Sequence, residues 1–542
     1  MQPHLVPKND MSQAFPSLPL GTSTFSTLRA SNEIYVDKTA LIHSLAATGR
    51  GKIFLARPRR FGKSLLVSTF ESLFANGLRD FKGLCIEQTW QDSLYPVIRL
   101  DFSQIKALSE QEQFSDALKN YLYESFSHLG FAYDPSRTSF FAQLDSWLRQ
   151  QGPNSIVLLI DEYDAPLTER LGDTTAFNAV RDMLTQFFAI LKSNEGCLRF
   201  FFMTGITKFS NTSIFSAFNN LEDISLDPLY GTLLGYTEEE IVDNFGIYLD
   251  SAAQALSLSG DELLSQLRIH YNGFCFDEQA STSVYCPWSV LNFLKRPTRG
   301  FKNYWYESGG KPSVLMSYLN SHSLTDPVQY NRPIDLSLDD LSAARTYADI
   351  SEVSLLTQTG YLTIKNKISA RYVQVGFPNQ EVSLSMGRLY ADVLLGNSDK
   401  SQIGITRLAQ TLAVGNLDEI VSIVNQAFNA MDYHRFSVRD EASCRSYLQI
   451  LLIGADLEPV VEMHSALGRS DIEVDAQDRH WVFEIKFAKN TIRNSNSSRR
   501  RHHPNPRPPL WKIDTCSRTQ TRCSGLRPIL KTICRMTRNS IA

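Results

Sequence analysis

No stretch of about eighteen consecutive apolar residues, the length a membrane-crossing helix needs, occurs anywhere in the 542 residues of this chain. Residues 1–19 carry no basic segment leading into an apolar one, so no secretory leader is read there. The eight cysteines, at 85, 197, 275, 286, 444, 516, 523 and 534, include no C-x-x-C pair and no metal-ligand spacing with histidine. They point to reduced thiols in a cytoplasmic protein. Charge of one sign is scarce overall, with a net of −3 at pH 7. That balance hides an asymmetry. Residues 491–542 hold twelve Lys and Arg against one acid, Asp514, which leaves −14 on residues 1–490 and does not advertise nucleic acid as a partner of the body. What remains is ordinary for globular domains, 43% hydrophobic and 20% charged residues, over a length that exceeds one core and calls for two to four domains.

A glycine is missing too, at an informative place. Lys52-Ile-Phe-Leu-Ala-Arg-Pro-Arg-Arg-Phe-Gly-Lys-Ser64 and residues 65–74 read as a buried strand, a tight loop and an amphipathic helix, the layout of a phosphate-binding loop. The general pattern G-x-x-x-x-G-K-[ST] wants glycine at position 57, where this chain has Arg57. Arg60, Phe61, Gly62, Lys63, Ser64 and Leu65 are the candidate cradle. In such a loop backbone N–H groups wrap the β-phosphate, Lys63 reaches the β/γ oxygens and the Ser64 hydroxyl goes to Mg²⁺. Gly62 lets the backbone approach without a Cβ in the way.

About a hundred residues on, Ser155-Ile-Val-Leu-Leu-Ile-Asp-Glu-Tyr-Asp-Ala-Pro166 is a continuous apolar run closed by acids, the pattern of a central parallel strand whose carboxyl end faces a ligand. Asp161 is expected to hold Mg²⁺ through its water shell, and Glu162 to orient or deprotonate the attacking water. Leu198-Arg-Phe-Phe-Phe-Met-Thr-Gly-Ile-Thr207 is a further buried strand. Thr204, with Thr207 as the alternative, is a candidate sensor of the γ-phosphate or the water; the competing reading is that Thr204 opens the turn that Gly205 permits. The pattern also gives a helix over 40–48 capped by Thr39, a strand over 96–103 and helices over 111–129 and 139–151. From about 240 to 440 it is mostly helical, Thr237 opening the first helix, with strands over Gln358-Thr-Gly-Tyr-Leu-Thr-Ile364 and Phe377-Pro-Asn-Gln-Glu-Val382.

Taken together, Phe25, Tyr35-Val-Asp-Lys-Thr39, Arg57-Pro-Arg-Arg-Phe-Gly-Lys-Ser64, Leu159-Ile-Asp-Glu-Tyr-Asp-Ala-Pro166 and Thr204-Gly-Ile-Thr-Lys-Phe209 resemble the predicted AAA-ATPase-like family of bacterial proteins. That family carries Arg-Pro-Arg-Arg-Phe-Gly-Lys-Ser in place of a glycine-first loop, so Arg57 agrees with it. The resemblance covers roughly 18–300 and continues weakly through Tyr271-Asn-Gly-Phe274, Val284-Tyr-Cys-Pro-Trp-Ser289 and Tyr304-Trp305. It implies an α/β fold, a parallel P-loop sheet with helices on both faces, that binds and hydrolyses ATP with Mg²⁺. Lys63 and Glu162 would be its catalytic residues and Thr204 a third, with Ser64 and Asp161 at the metal; a homo-oligomer would be compatible with it.

A second site begins near Arg439, where a helix, a strand and a hairpin come in order. Glu484 and Lys486 alternate with Val482 on one face of the last strand, and Asp471 stands near the start of the strand before it. Two carboxylates meeting across adjacent strands make a hard-oxygen Mg²⁺ site, and a lysine two residues on can position a water. The pattern resembles the PD-(D/E)XK nuclease superfamily. That likeness implies Asp471 and Glu484 as metal ligands, Lys486 as the catalytic lysine, Glu441 as a helix-borne acid, and nucleic acid as a partner of this domain. After Asn490 periodicity is lost and five prolines fall between 504 and 528, so 491–542 reads as a basic disordered tail, with two readings open: a basic arm that grips phosphates, or out-of-frame sequence in place of the domain's C-terminal part. The expected domains are therefore an ATPase domain at 18–235, a mostly helical region at 236–437, an incomplete nuclease-like domain at 438–490 and the tail. The alternative function is a nucleotide-gated signalling or scaffold protein whose nuclease fold is inert.

Overall fold

The structure, a computed structural model, describes residues 16–48, 51–105, 111–170, 173–208, 220–308, 313–322, 330, 332–342, 351–395, 405–431, 436, 438, 440–461, 464–465, 468–469, 471–485, 512–515 and 529–534. The chain divides into two compact units, residues 1–314 with 334–381, and residues 315–333 with 382–542.

The first unit is built on a parallel sheet of β1 (Lys52–Ala56), β2 (Val97–Asp101), β3 (Ile156–Asp161), β4 (Leu198–Gly205) and β5 (Glu222–Asp223), in the order β2-β3-β4-β1-β5. Every residue of β3 and β4 is buried, as unbroken apolar runs require of strands covered on both faces. β4 lies between β1 and β3, so the acids that close β3 reach the loop after β1 across one intervening strand. The helix Lys63–Asn76 lays Phe70 against Phe200 and Phe202 of β4, with ring centres 4.9 and 5.0 Å apart.

The boundary expected at residue 235 falls inside this unit. Ile241, Phe245, Leu263, Tyr271 and Val290 share one apolar core with Val36, and Leu18 and Leu20 pack against it, so the N-terminal segment cannot be separated from the helices that come after the sheet. The helix Glu238–Leu256 opens at Thr237 with a capping box to Glu240, as its sequence predicts. The first helix after the N-terminal segment is capped differently from expectation: Asp37 Oδ1 accepts the Thr39 amide at 2.8 Å, and the helix runs Thr39–Ala46.

An antiparallel sheet of β6 (Ile334–Ser337), β7 (Thr363–Lys367) and β8 (Tyr372–Gly376) completes the unit in the order β6-β8-β7. The strand expected over 358–364 is thus confined to its last two residues. Ser351 caps the helix Glu352–Thr359, and Gly360, at φ 89°, ends it in the left-handed conformation glycine favours. The strand expected over 377–382 is instead a short turn opening the helix Gln380–Leu395.

In the second unit the helix Glu441–Gly454 precedes the sheet, capped by Asp440. Its strands are β9 (Val460–Val461), β12 (Ile472–Ala476), β13 (Arg479–Ile485), β14 (Lys512–Thr515) and β15 (Ile529–Cys534), in the order β14-β15-β13-β12-β9; β10 (His464–Ser465) and β11 (Gly468–Arg469) form a separate pair. The hairpin β12–β13 was expected. The tail strands were not: β15 pairs antiparallel with β13, Ile485 opposite Leu530, and β14 lies parallel to β15. Residues 491–542 are therefore not wholly without regular structure. β13, buried at alternate positions, takes a partner along the edge it would otherwise leave open.

One buried acid ties helices of the first unit together. Glu381, 1% exposed, accepts the Trp305 amide at 2.9 Å and the Ser289 hydroxyl at 2.8 and 3.1 Å. Burial raises its pKa from 4.5 to about 8, against the opposing hydrogen bonds of Trp305 and Ser289. The folded state then holds this proton over a range where the unfolded chain has lost it, so stability falls as pH climbs from about 4.5 to about 8. Glu381→Gln removes the titration, and chemical denaturation at several pH values should show a flatter fall in the variant; parallel curves would refute the assignment.

Candidate functional site

β1 ends at Ala56, and the loop to the helix at Lys63 turns through two left-handed residues, Arg60 at φ 71° and Gly62 at φ 93°. Only the second is a glycine, so Arg60 is held in a conformation that L side chains rarely adopt. The Lys63 ammonium turns inward and donates to the carbonyls of Arg57 (2.9 Å) and Pro58 (3.0 Å). Burial lowers its pKa, while the nearby carboxylates of Asp161, Glu162 and Asp164 act in the opposite direction.

Arg57, where the general pattern has glycine, is 1% exposed. Its guanidinium donates to the carbonyls of Ala56 (2.9 Å), Ser225 and Tyr230 (3.2 Å) and lies 4.4 Å from the centre of the Phe276 ring. Burial pulls its pKa down to about 9. This side chain fastens the loop to the segment after β5.

At the end of β3, Asp161 is 2% exposed, and its Oδ1 accepts the Glu162 amide at 3.1 Å. Burial raises its pKa, with Ser64 and Lys63 opposing. Glu162 comes next at φ 50°, another strained position for a side chain other than glycine. Its pKa is also raised by burial, with Lys63 opposing. Strain of this kind at an acid facing a lysine is held by the surrounding structure, and here the holding is visible. Asp164 accepts from the amides of Ile206 (3.1 Å) and Thr207 (2.8 Å) and from the Thr207 hydroxyl (2.7 Å), while the Tyr163 hydroxyl donates to Thr207 O at 2.9 Å. Gly205 is obligatory between them, because a Cβ there would come within 2.6 Å of Asp164 Oδ1.

Arg60, Phe61, Gly62, Lys63, Ser64, Leu65 and Glu162 all line one cleft of about 560 Å³. Asp161 lies behind it, reached through Ser64. Thr204 does not reach it. Its hydroxyl is fully buried and donates to Leu55 O of the neighbouring strand at 2.7 Å. Thr207, the alternative, is 1% exposed and engaged by Asp164. The far wall of the cleft was assigned no role from sequence: Tyr35 and Lys38 before β1, Tyr236, and Trp288. Lys38 pairs with Glu240 at 2.6 Å. The motif Tyr35-Val-Asp-Lys-Thr39 was the available signal for the first two, and Val284-Tyr-Cys-Pro-Trp-Ser289 for Trp288. A second cavity of about 410 Å³ is lined by Arg57, Pro58, Lys208 and Asp223 and contains none of the candidate catalytic or metal residues.

In the second unit Asp471 Oδ2 accepts the Ile485 amide at 2.7 Å, and Glu484 lies one step beyond the pair Ile472↔Phe483, on the half-exposed face of β13. Lys486 lies outside the described residues, and Glu441 is exposed. Among the described residues no group of three acids, histidines or cysteines is placed to hold a metal ion. A P-loop Mg²⁺ does not need such a group, since it takes a hydroxyl, one or two carboxylates, waters and substrate phosphates, and the Ser64 hydroxyl with the Asp161 carboxylate fits that donor set.

The parallel sheet, the strand, loop and helix at β1, and the acids closing β3 define an α/β P-loop fold. A family model described as Predicted AAA-ATPase matches residues 19–215. A protein of Azotobacter chroococcum mcd 1, described as an uncharacterized protein in the vnfD 5' region, is 33% identical over 487 residues, 88% of this chain and 90% of its own. The chain belongs to this AAA-ATPase-like family. Among solved structures, Cdc6p from Pyrobaculum aerophilum is 14% identical, with 65% of this chain and 92% of that one covered at a TM-score of 0.25, a likeness too slight to carry an argument. No helix among the described residues is long and apolar enough to cross a membrane.

Replacing Arg57 with glycine restores the general loop pattern but removes a buried side chain with three carbonyl partners. Arg57→Gly should therefore lower stability by on the order of 3 kcal/mol in urea denaturation. An unchanged or raised midpoint would mean that the arginine is not fastening the loop.

Proposed function

We propose that the first unit binds ATP with Mg²⁺ and hydrolyses it. The observation that carries this reading is that Lys63, Ser64 and Glu162 line a single cleft, with Asp161 closing β3 near enough for Ser64 and Lys63 to favour its charged form. Loop amides from Arg60 to Leu65 would cradle the β-phosphate, and Lys63, released from the carbonyls of Arg57 and Pro58, would turn to the β/γ oxygens. Mg²⁺, when bound at Ser64 and Asp161, supplies charge neutralisation at the phosphate oxygens. Glu162 would orient the attacking water and take its proton, and burial, by raising its pKa, makes it a stronger base than an exposed carboxylate.

The C-terminal unit would act on nucleic acid as a Mg²⁺-dependent nuclease through Asp471, Glu484 and Lys486, with oligomerisation compatible with the ATPase reading. One observation favours the alternative, a nucleotide-gated scaffold with an inert nuclease fold: the Asp471 carboxylate is already engaged by the Ile485 amide.

Lys63→Ala should abolish ATP binding, whereas Glu162→Gln should bind ATP with the wild-type affinity and turn it over about a hundredfold more slowly. Unchanged turnover in Glu162→Gln would remove it from the catalytic role. In the same preparations, Mg²⁺-dependent cleavage of DNA or RNA that disappears in Asp471→Ala would support the nuclease arm, and absence of cleavage in the wild type would favour the scaffold.

A further inference from the structure

The loop 57–62 contains one glycine, and each residue before it is held by a group outside the loop. Pro58 packs against Gly360, where a Cβ would come within 2.7 Å of its ring. The Arg59 carbonyl accepts from Trp305 Nε1 at 3.3 Å. The Arg60 guanidinium donates to Ser308 O and stacks 4.4 Å from the centre of the Trp288 ring. Phe61 stands edge-on to Phe274 and Phe276, at 4.9 and 5.0 Å. A glycine-rich loop turns through its own backbone freedom; this one is shaped by its neighbours.

Three of those neighbours, Phe274, Trp288 and Trp305, belong to the segments Tyr271-Asn-Gly-Phe274, Cys286-Pro-Trp-Ser289 and Tyr304-Trp305, whose sequence stood out with no chemistry attached. They meet at Glu381. Its carboxylate receives the Trp305 amide and the hydroxyl of Ser289, the neighbour of Trp288, and Trp288 Nε1 donates to Tyr304 O at 3.2 Å. One buried acid thus fixes the helices Pro287–Lys295 and Tyr304–Glu307, which carry both tryptophans to the loop. Cys286, Tyr271, Tyr304 and Glu307 are the other titratable groups that face this carboxylate.

We infer that the buttress of residues 271–308, locked by Glu381, sets the shape of the phosphate-binding loop, which makes Glu381 and Trp305 positioning residues for the triphosphate although neither lines the cleft. The inference rests on the nucleotide-binding reading above. It extends the functional unit from the loop itself to three segments more than two hundred residues further on, and it places the requirement for tryptophan at 305 in one hydrogen bond.

The test is Mg²⁺-ATP binding and hydrolysis by the full chain and by Trp305→Phe, Glu381→Leu and Glu381→Gln, with the thermal transition of each recorded. Trp305→Phe loses the indole donor together with part of the buried ring, and the thermal transition reports the cost of the lost volume. The variant should weaken ATP binding about fivefold and raise KM in step with kcat unchanged. Glu381→Leu removes the acceptor of both helices and should weaken binding at least as much, while Glu381→Gln keeps an amide oxygen for Trp305 and Ser289 and should bind as the wild type does. Should Glu381→Leu fail to fold, Trp305→Phe decides. Wild-type affinity in a folded Trp305→Phe overturns the inference and leaves the nucleotide reading standing, whereas a wild-type chain that binds no ATP overturns both.

Discussion

Arg57 stands where a phosphate-binding loop ordinarily begins with glycine, and the architecture of the first unit is set by accommodating it. A guanidinium buried at this depth needs carbonyl partners, since a charge without them would be strongly disfavoured. The structure supplies them from Ala56, Ser225 and Tyr230 and adds the face of Phe276. The loop consequently has a wall on each side, Arg57 and Pro58 lining one cavity and Arg59 to Leu66 the other. Its conformation is a property of the whole unit.

The electrostatics of the cleft depend on the same burial. Burial disfavours the charges of Lys63, Asp161 and Glu162 separately; the lysine and the two carboxylates favour one another, while the carboxylate of Asp161 opposes that of Glu162. Such a set responds strongly to an added polyanion and its cation, because the added charges act in a medium of low dielectric. The left-handed backbone at Glu162 is maintained by Tyr163 and Asp164, which lock the end of β3 to residues 204–207 of the neighbouring strand and turn.

The parts of this site that were legible in the sequence are those whose information is local. Gly62-Lys63-Ser64 after an apolar strand, and Asp161-Glu162 closing another, carry their meaning in adjacent residues, and they came together in one place. The partner of Thr204 was not legible because it comes from the neighbouring strand: its hydroxyl donates to the Leu55 carbonyl. The strand expected at 358–364 failed for a different reason, since Ser351 and Gly360 cap a helix whose apolar, β-branched composition also suits a strand. The tail strands escaped notice because 512–515 and 529–534 are short and stand in a proline-rich background, with a sheet partner far back in the chain. Arg57 and Glu381 were opaque for the same cause, their partners lying about 75 to 175 residues away in sequence.

Whether this loop grips the β-phosphate of a nucleotide is decided by calorimetric titration of the purified chain with ATP, ADP and AMP in the presence of Mg²⁺. Stoichiometric binding of ATP and ADP with no measurable binding of AMP is the expected result. AMP binding as tightly as ATP, or no heat with any of the three, would contradict the account.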